Sequence, residues 1–562
     1  MRIQKLQQEI KSQNIEAYLI SHSDEYNSEY VAPYANRIEF ITNFTGSVSM
    51  FISTSNQAAI FVDGRYTQQA HMQVDTSLCS VEGYSLSSMV QWLESNNIKV
   101  LHYSQDTISI NFISALQKLA TSVILKPVQS CLVDSIWNSK PNKVYHSITT
   151  LPPELTGICS KEKIISITNT MKEINVDSIV VTNLDEIAWL LNIRGNDIPF
   201  NPLVFGKLII HQDESLDLYI NKMKLPEEFL NNKLNIRYSE EGNFIIDLQK
   251  IAKTNKVIGI SWSSPMSTLN TLNNTKDKKC SITMIDDLIR LQKQIKNDIE
   301  INNIKNAFNR DNQHWADIIK YITSNVNNST YIDELTTSQQ IEDIRSKDTK
   351  YRGASFNSIV GCNENSAIIH YAPNQESNKV ITKDSIVLID CGGHYLDGTT
   401  DATRTINFSP SHEYKLHYTL VLKGLIALSC ANVPRSSTTN ILDAFARQFL
   451  WQHGLDYPHG TGHGVGNYLN VHEGPLSINF INKNINLKPG MIFSNEPGLY
   501  IPGKYGIRLE NIMLCKQNEE HKDYLCFESL TYIAFDNNSI IEDMLTKDEQ
   551  LWLKNYHAKC PK

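Results

Sequence analysis

Residues His459–Gly466 read HGTGHGVG, two histidines four apart with a glycine at every second position. Histidines at that spacing could share one helical face, but four glycines in eight residues would each cost about 1 kcal/mol there, which disfavours a helix. In an extended chain the side-chain period is two: His459, Thr461 and His463 point one way and the four glycines the other. That is a polar face with a bare back. Glycine inside a strand marks the close approach of another backbone or a ligand. Taken alone, the stretch leaves a second reading open, a glycine-rich turn with solvated histidines.

Around it lies a concentration of chemistry-bearing residues, with eight of the chain's sixteen histidines between His370 and His472. In SIVLIDCGGHYLDGTTDATRTINF (385–408) the apolar run Ile386–Ile389 reads as a buried strand ending in Asp390. Asp397-Gly398 reads as a turn, and Asp401 opens the returning strand. Cys391, next to Asp390 on that strand, is expected to face the other way. Either aspartate alone would be an ordinary turn or cap residue. Two carboxylates across one hairpin repel, and each is costly at the end of an apolar strand unless paired or metal-bound. Two glutamates share this character. Glu496 follows the apolar run of MIFSNEPGLY, and Glu510 lies in YGIRLENIMLC, read as an alternating strand with Arg508 and Glu510 on one face. With His463 the set is two Asp, two Glu and one His, whose four negative charges two divalent cations would balance. Oxygen-rich ligation with a single imidazole suits Mn²⁺, Co²⁺ or Zn²⁺, and a pair of such ions is the arrangement that clamps a hydrolytic displacement.

The whole chain sets the frame for this site. At 562 residues it has room for two to four domains, and 41% hydrophobic with 20% charged residues is ordinary globular composition. A net charge of −8 without a long Lys/Arg run argues against a nucleic-acid partner. The N-terminal MRIQKLQQEIKSQNIEAYLI scatters charge through its apolar positions, unlike a signal peptide, and no run approaches a membrane span. Ten cysteines, singly placed with no C-x-x-C, fit thiols in a reducing compartment. A cytoplasmic protein without membrane attachment is expected.

The first half carries a weak repeat. IEFITNFTG (Ile38–Gly46) and IAWLLNIRG (Ile187–Gly195) share Ile, an aromatic, Asn and Gly at the same offsets, and each follows an apolar run and an Asp-Glu pair, YLISHSDE and IVVTNLDE. Two copies about 150 residues apart are no solenoid; with strand-like runs alternating with helical patterns they predict two related α/β domains in tandem. The Pro-containing SKPNKVYHSITTLPPELTG (Ser139–Gly157) marks their boundary. From Ile301 a near-3.6 apolar period through Ile304, Phe308, Trp315, Ile318, Ile319 and Ile322 predicts a long packing helix.

Taken together, IIHYAP (Ile368–Pro373), DCGGHYLDGTTDATRT, HGTGHGVGNYLNVHEGP, NEPGLY and GIRLEN resemble the pita-bread metallopeptidases, and specifically the cytosolic three-domain Xaa-Pro aminopeptidases. DGRYTQQA, SEYVAPY, DEIAWLLNIRG, FESLT and LTKDEQLWLKNYH extend the similarity over essentially the whole chain. The resemblance implies a mixed α/β and α+β architecture: creatinase-N-like α/β domains at 1–153 and 154–297, then a catalytic pita-bread domain at 298–562, forming a homodimer. It implies two divalent ions, Mn²⁺ first with Zn²⁺ or Co²⁺ as the other candidates. Asp390 would bind one ion, Asp401 and Glu510 would bridge, and His463 with Glu496 would hold the second. His370, His459 and His472 would be the further active-site histidines, His472 serving the scissile carbonyl and the developing nitrogen and the other two lining a proline pocket. The substrates implied are peptides with proline at the second position. Prolidases and methionine aminopeptidases use the same five ligands but lack two extra N-terminal domains; a metal-free creatinase-like hydrolase or a silent peptide-binding relative would not keep the complete set.

Overall fold

The two repeat copies open matching sheets. In the first copy, strand β1 (Ala17–Ser21) leads to helix α1 (Arg37–Thr42), and β1 is joined by β2 (Ser49–Ser53), β3 (Ala58–Val62), β4 (Ser80–Gly83), β5 (Val100–Ser104) and β6 (Ile124–Val128) in the order β4-β3-β2-β1-β5-β6. In the second, β7 (Ser178–Val181) leads to α2 (Leu184–Leu190) and is joined by β8 (Lys207–His211), β9 (Leu216–Tyr219), β10 (Ile236–Ser239), β11 (Val257–Ser261) and β12 (Ser281–Ile285) in the order β10-β9-β8-β7-β11-β12. The directions match as well: the two β1–β2–β3 pairings are antiparallel and the rest parallel, and the second sheet repeats this strand for strand. The shared asparagines have the same job. Asn43 (φ 64°) and Asn192 (φ 52°) end their helices in the left-handed region that asparagine tolerates.

This computed structural model describes residues 2–254, 256–277, 279–285, 288–481 and 485–561; Met1 and Lys562, the outer limits expected for the first and third domains, lie outside them. Contacts divide the chain into two compact units, Met1–Pro153 with Ile158–Ile289, and Glu154–Gly157 with Arg290–Lys562. In the first unit both faces of the β1 sheet are covered: Leu19, Ile52 and Phe61 enter one core, Tyr18, Ile20, Phe51 and Ile60 another. That is why its strands read as continuous apolar runs and not as alternation. The first of these cores runs on to Val180, Ile209 and Ile258 of the second sheet, so the two α/β domains share buried surface.

The second unit holds the histidine-rich region. Helix α3 (Asp298–Asn327), capped by Asn297 and Glu300, buries Ile304, Phe308, Trp315, Ile318 and Ile322. Strands β13 (Ile359–Cys362), β14 (Ile386–Asp390) and β15 (Thr403–Asn407) form an antiparallel sheet with β14 central. Helices α4 (His412–Ser429) and α5 (Asn440–Trp451) pack on one another before β16 (Gly462–His463), which pairs with β17 (Ser477–Ile478). Then follow β18 (Ile492–Asn495), the hairpin β19 (Gly498–Ile501) and β20 (Tyr505–Arg508), and β21 (Asn511–Gln517), which lies between β18 and β22 (Tyr524–Ser529). Cys391 joins Val387 and Ile389 around Trp315 while Leu388 packs on the opposite face, the alternation expected of it. All ten cysteines are free thiols.

Two local expectations need correction. The segment between Asp390 and Asp401 is not a simple hairpin loop: Gly393–Tyr395 and Gly398–Thr399 pair as a small hairpin of their own, and Asp390 is in register with Thr403, two residues past Asp401. The ladder resumes only at Thr403 because Thr400 turns back onto Gly393. Glu510 likewise lies not inside a strand but in the break between β20 and β21, where its N–H donates to the Thr403 carbonyl (3.1 Å).

Candidate metal centre

Within the HGTGHGVG stretch only Gly462–His463 forms a strand, and Gly464 bridges to Phe493 on the other side. Its glycines serve close approach. A Cβ on Gly462 would lie 1.9 Å from the Ser494 carbonyl oxygen of β18, and one on Gly464 2.3 Å from that of Glu473. Pressed between these two backbones, His463 is fixed from both sides. Its N–H donates to Ser494 Oγ (3.0 Å), and Ser494 Oγ donates in turn to Glu496 Oε1 (3.0 Å), so one serine sets the spacing of imidazole and carboxylate. His463 Nδ1 lies 3.0 Å from the Gly464 carbonyl. A carbonyl only accepts, so Nδ1 carries a hydrogen and Nε2 is the ring atom turned to the acids, 3.5 Å from Asp401 Oδ2 and 3.5 Å from Glu496 Oε1.

The other acids are placed by Thr403 and Arg508. Thr403 Oγ1 donates to Glu510 Oε2 (2.7 Å), and Arg508 Nη2 donates to Asp390 Oδ2 (2.6 Å). Asp401, His463 and Glu510 offer ligand atoms that all lie within 4.8 Å of one another. Asp390 and Asp401 each keep a buried oxygen, Oδ1, without a hydrogen-bond donor. Such oxygens are costly to bury unless something positive meets them.

Protonation registers the crowding. Burial pushes the Asp390 carboxyl up to about 7, with Arg508 pulling against it and Asp401 and Glu496 adding to the rise. Glu510 is raised well above the ordinary range by burial and then by Asp401, Glu496 and Asp390; Glu496 is raised by burial against the pull of His463 and Arg508. Burial alone would lower the His463 imidazolium, but Asp401 and Glu496 outweigh it and push it up to about 9. These residues suit divalent cations well. The buried Asp390, Asp401 and Glu510 and the partly buried Glu496 stand with one guanidinium, and the remaining charge exceeds what a single divalent ion would offset.

The three further histidines are placed differently. The chain turns at Gly466–Asn470, with Tyr468 at φ 48°, and returns so that the Glu473 N–H donates to the Gly464 carbonyl (2.7 Å). This brings the His472 ring to 4.4 Å from the His463 ring, at 81° to it. His459 connects to the acids through a relay: Arg508 Nη1 donates to the Tyr500 hydroxyl (2.7 Å), which lies 2.9 Å from His459 Nε2, while His459 Nδ1 faces the Gly460 carbonyl (2.8 Å). His370 follows Ile369, whose carbonyl accepts from Arg508 Nη2 (3.3 Å). Arg508 thus ties Asp390, Tyr500 and the His370 loop together, a role that alternation beside Glu510 did not reveal. Tyr500 and Thr403 lie inside motifs the sequence displayed, but nothing there singled out their roles or that of Ser494.

This constellation is that of a metallopeptidase. The family model for metallopeptidase family M24 matches residues 302–517 and its C-terminal region 523–562, while creatinase/prolidase N-terminal domain models match 2–135 and 139–300. The chain belongs to metallopeptidase family M24, and its full-length relatives carry the name Xaa-Pro aminopeptidase P. A probable Xaa-Pro aminopeptidase P of Talaromyces marneffei is 35% identical over 99% of this chain and 88% of its own, and one of Laccaria bicolor 34% over 99% and 89%. An X-prolyl aminopeptidase of Caenorhabditis elegans, a cytosolic enzyme with a di-nuclear active site, superposes with a TM-score of 0.94 at 29% identity, covering 100% of this chain and 95% of that one. The prolidase of Pyrococcus horikoshii covers 66% of this chain and 99% of its own, at 25% identity and a TM-score of 0.54.

Proposed function

We propose that this protein is a metal-dependent aminopeptidase that hydrolyses the bond between an N-terminal residue and a following proline. The observation that carries this is the convergence of four carboxylates, three of them buried, and His463 Nε2 beside His472, in a chain aligned over 99% of its length with Xaa-Pro aminopeptidase relatives. Asp390 would hold one divalent ion, His463 with Glu496 would hold the second, and Asp401 and Glu510 would serve both; Mn²⁺ would be the ion of choice, since oxygen donors outnumber the single imidazole. Two ions there supply a nucleophilic water at neutral pH and polarise the scissile carbonyl.

The chain's own groups do the rest. An Xaa-Pro bond is a tertiary amide without an N–H, so the enzyme has no amide hydrogen to grip and must deliver a proton to the leaving nitrogen. His472, set against His463, donates to the scissile carbonyl and the developing amine; His459, oriented by Tyr500, and His370 line the proline pocket. Boundaries at 153/154 and 297/298 separate the domains, and the protein works in the cytoplasm as a homodimer. The dimer reading is supported by an apolar surface on the second unit where Trp451, Phe480 and Ile481 are exposed and the Trp451 and Phe480 rings meet edge to face.

The test compares hydrolysis of Arg-Pro-Pro and Met-Ala-Ala, with and without Mn²⁺. Release of arginine from the first alone, dependent on metal, is expected. Cleavage of Met-Ala-Ala at a comparable rate, or of Xaa-Pro dipeptides only, would move the reading to a methionine aminopeptidase or a prolidase.

A further inference from the structure

The residue after His472, Glu473, has a side chain only 1% exposed and is held by two lysines as deeply buried, Lys293 at 0% and Lys296 at 1%. Lys293 Nζ stands 3.0 Å from Glu473 Oε1, and Lys296 Nζ donates to Oε2. Lysines are almost never buried this far. Burial pulls the Lys296 ammonium below its ordinary range while Glu473 works against that. A buried ion cluster of this kind is a poor source of stability, since apolar side chains of the same volume would serve as well or better. Its value lies in what it holds in place.

Three backbone connections show what that is. The Glu473 N–H donates to the Gly464 carbonyl (2.7 Å), one residue past His463, and the Glu473 carbonyl fills the space where a side chain at 464 would stand. The Lys296 N–H donates to the Gly490 carbonyl (2.9 Å), and Ile295 bridges to Met491, where β18 begins its run to Glu496. The lysine segment is therefore sewn to the strand that delivers Glu496, while its ammonium groups grip the residue that delivers His472. The imidazole must hold its place to within a fraction of an ångström to pass a proton.

We propose that Glu473, gripped by Lys293 and Lys296, is a positioning residue that fixes the His472 imidazole against the metal-ligand cluster. The proposal rests on the proton-donating role given to His472 above. Four proteins test it with Arg-Pro-Pro: wild type, His472→Ala, Glu473→Gln and the double variant, each analysed for bound metal. Glu473→Gln is expected to lower kcat by up to about 10²-fold while KM stays near the wild-type value. Two ions should remain bound. In the His472→Ala background the same substitution should cost no more than about twofold, because there is no longer an imidazole to position. Equal losses in both backgrounds, or loss of metal on Glu473→Gln, would overturn the proposal and leave Glu473 a general structural residue. An unchanged kcat in His472→Ala would instead strike down the role of His472 itself, and this proposal with it. Should Glu473→Gln fail to fold, Lys293→Met, which leaves one ammonium on the carboxylate, takes its place in the same comparison under the same criteria.

Discussion

Gly462 offers the sharpest perturbation of the centre because the obstacle is backbone. Its missing Cβ would sit 1.9 Å from the Ser494 carbonyl oxygen and 2.8 Å from the carbonyl carbon, in a strand that cannot swing aside as a side chain can. To reach ordinary contact at 3.4 Å, β16 and β18 must part by about 1.5 Å, an overpacking that typically costs about 1–3 kcal/mol. The displacement falls on the residues that matter. His463 is next in the chain, Ser494 Oγ joins the His463 N–H to Glu496, and the Glu496 N–H donates to the Thr461 carbonyl (2.8 Å). Moving ligands by an ångström costs about 10²-fold in rate even where chemistry is otherwise intact. Gly462→Ala should therefore lose metal, at least that much kcat/KM on Arg-Pro-Pro, and several degrees of thermal midpoint. Gly460→Ala is the control within the same stretch: its Cβ meets the Ile478 carbonyl at 3.2 Å, a gap that closes with a few tenths of an ångström of give. Bound metal by elemental analysis, initial rates and a melting curve decide the matter. A Gly462→Ala protein that binds two ions and keeps half the wild-type rate would refute the close-approach argument.

Other outcomes follow from the same geometry. Asp401→Asn keeps the shape but removes the charge proposed to bridge, 3.5 Å from His463 Nε2, so metal content and nearly all activity should go; half the rate retained would mean Asp401 is no bridge. His472→Ala should lower kcat by about 10²–10⁴-fold with both ions in place, whereas His463→Ala should lose metal along with activity; equal metal loss in the two would make His472 a ligand or its support. In metal-free protein the His463 imidazolium, held up to about 9, lends stability that is complete below its unfolded value near 6.5 and lost as pH rises through 9, at up to about 1.4 kcal/mol per pH unit. Chelated protein should accordingly melt lower at pH 9 than at pH 7, and Mn²⁺-loaded protein should not follow, because the ion requires a neutral ring and charged acids; a flat chelated profile would contradict the raised value. Replacing Trp451 and Phe480 together by Asp should convert a dimer to monomers in sedimentation; an unchanged sedimentation coefficient would put the interface elsewhere.

What could be read in the sequence, and what could not, divides along physical lines. HGTGHGVG was legible because a period of two and the cost of helical glycine are local facts, and the structure gives each of those glycines another stretch of backbone to touch, Gly462 and Gly464 most closely. The repeat was legible through Asn43 and Asn192, whose left-handed backbone any copy of that turn must provide for. Arg508 was half legible. Its alternation with Glu510 was plain, but its carboxylate partner is Asp390, 118 positions away, which no local period encodes. Glu510 was misplaced inside a strand because apolar alternation runs on unbroken while the chain passes from the β19–β20 hairpin to the β18–β21 sheet. The Lys293–Glu473–Lys296 cluster left no trace, since lysines in a helical pattern read as solvated until a fold buries them. Repulsion gives this division a reason. Four acids on neighbouring positions of one strand would destabilise it before any ion arrived, so each stands where a strand ends or breaks: Asp390 closing β14, Asp401 ahead of β15, Glu496 just past β18, Glu510 between β20 and β21. Strand ends are what an apolar run followed by an acid announces. Which ends meet is decided by the register of β14 with β15 and of β18 with β21, and that register is set by core packing far from the charges it brings together.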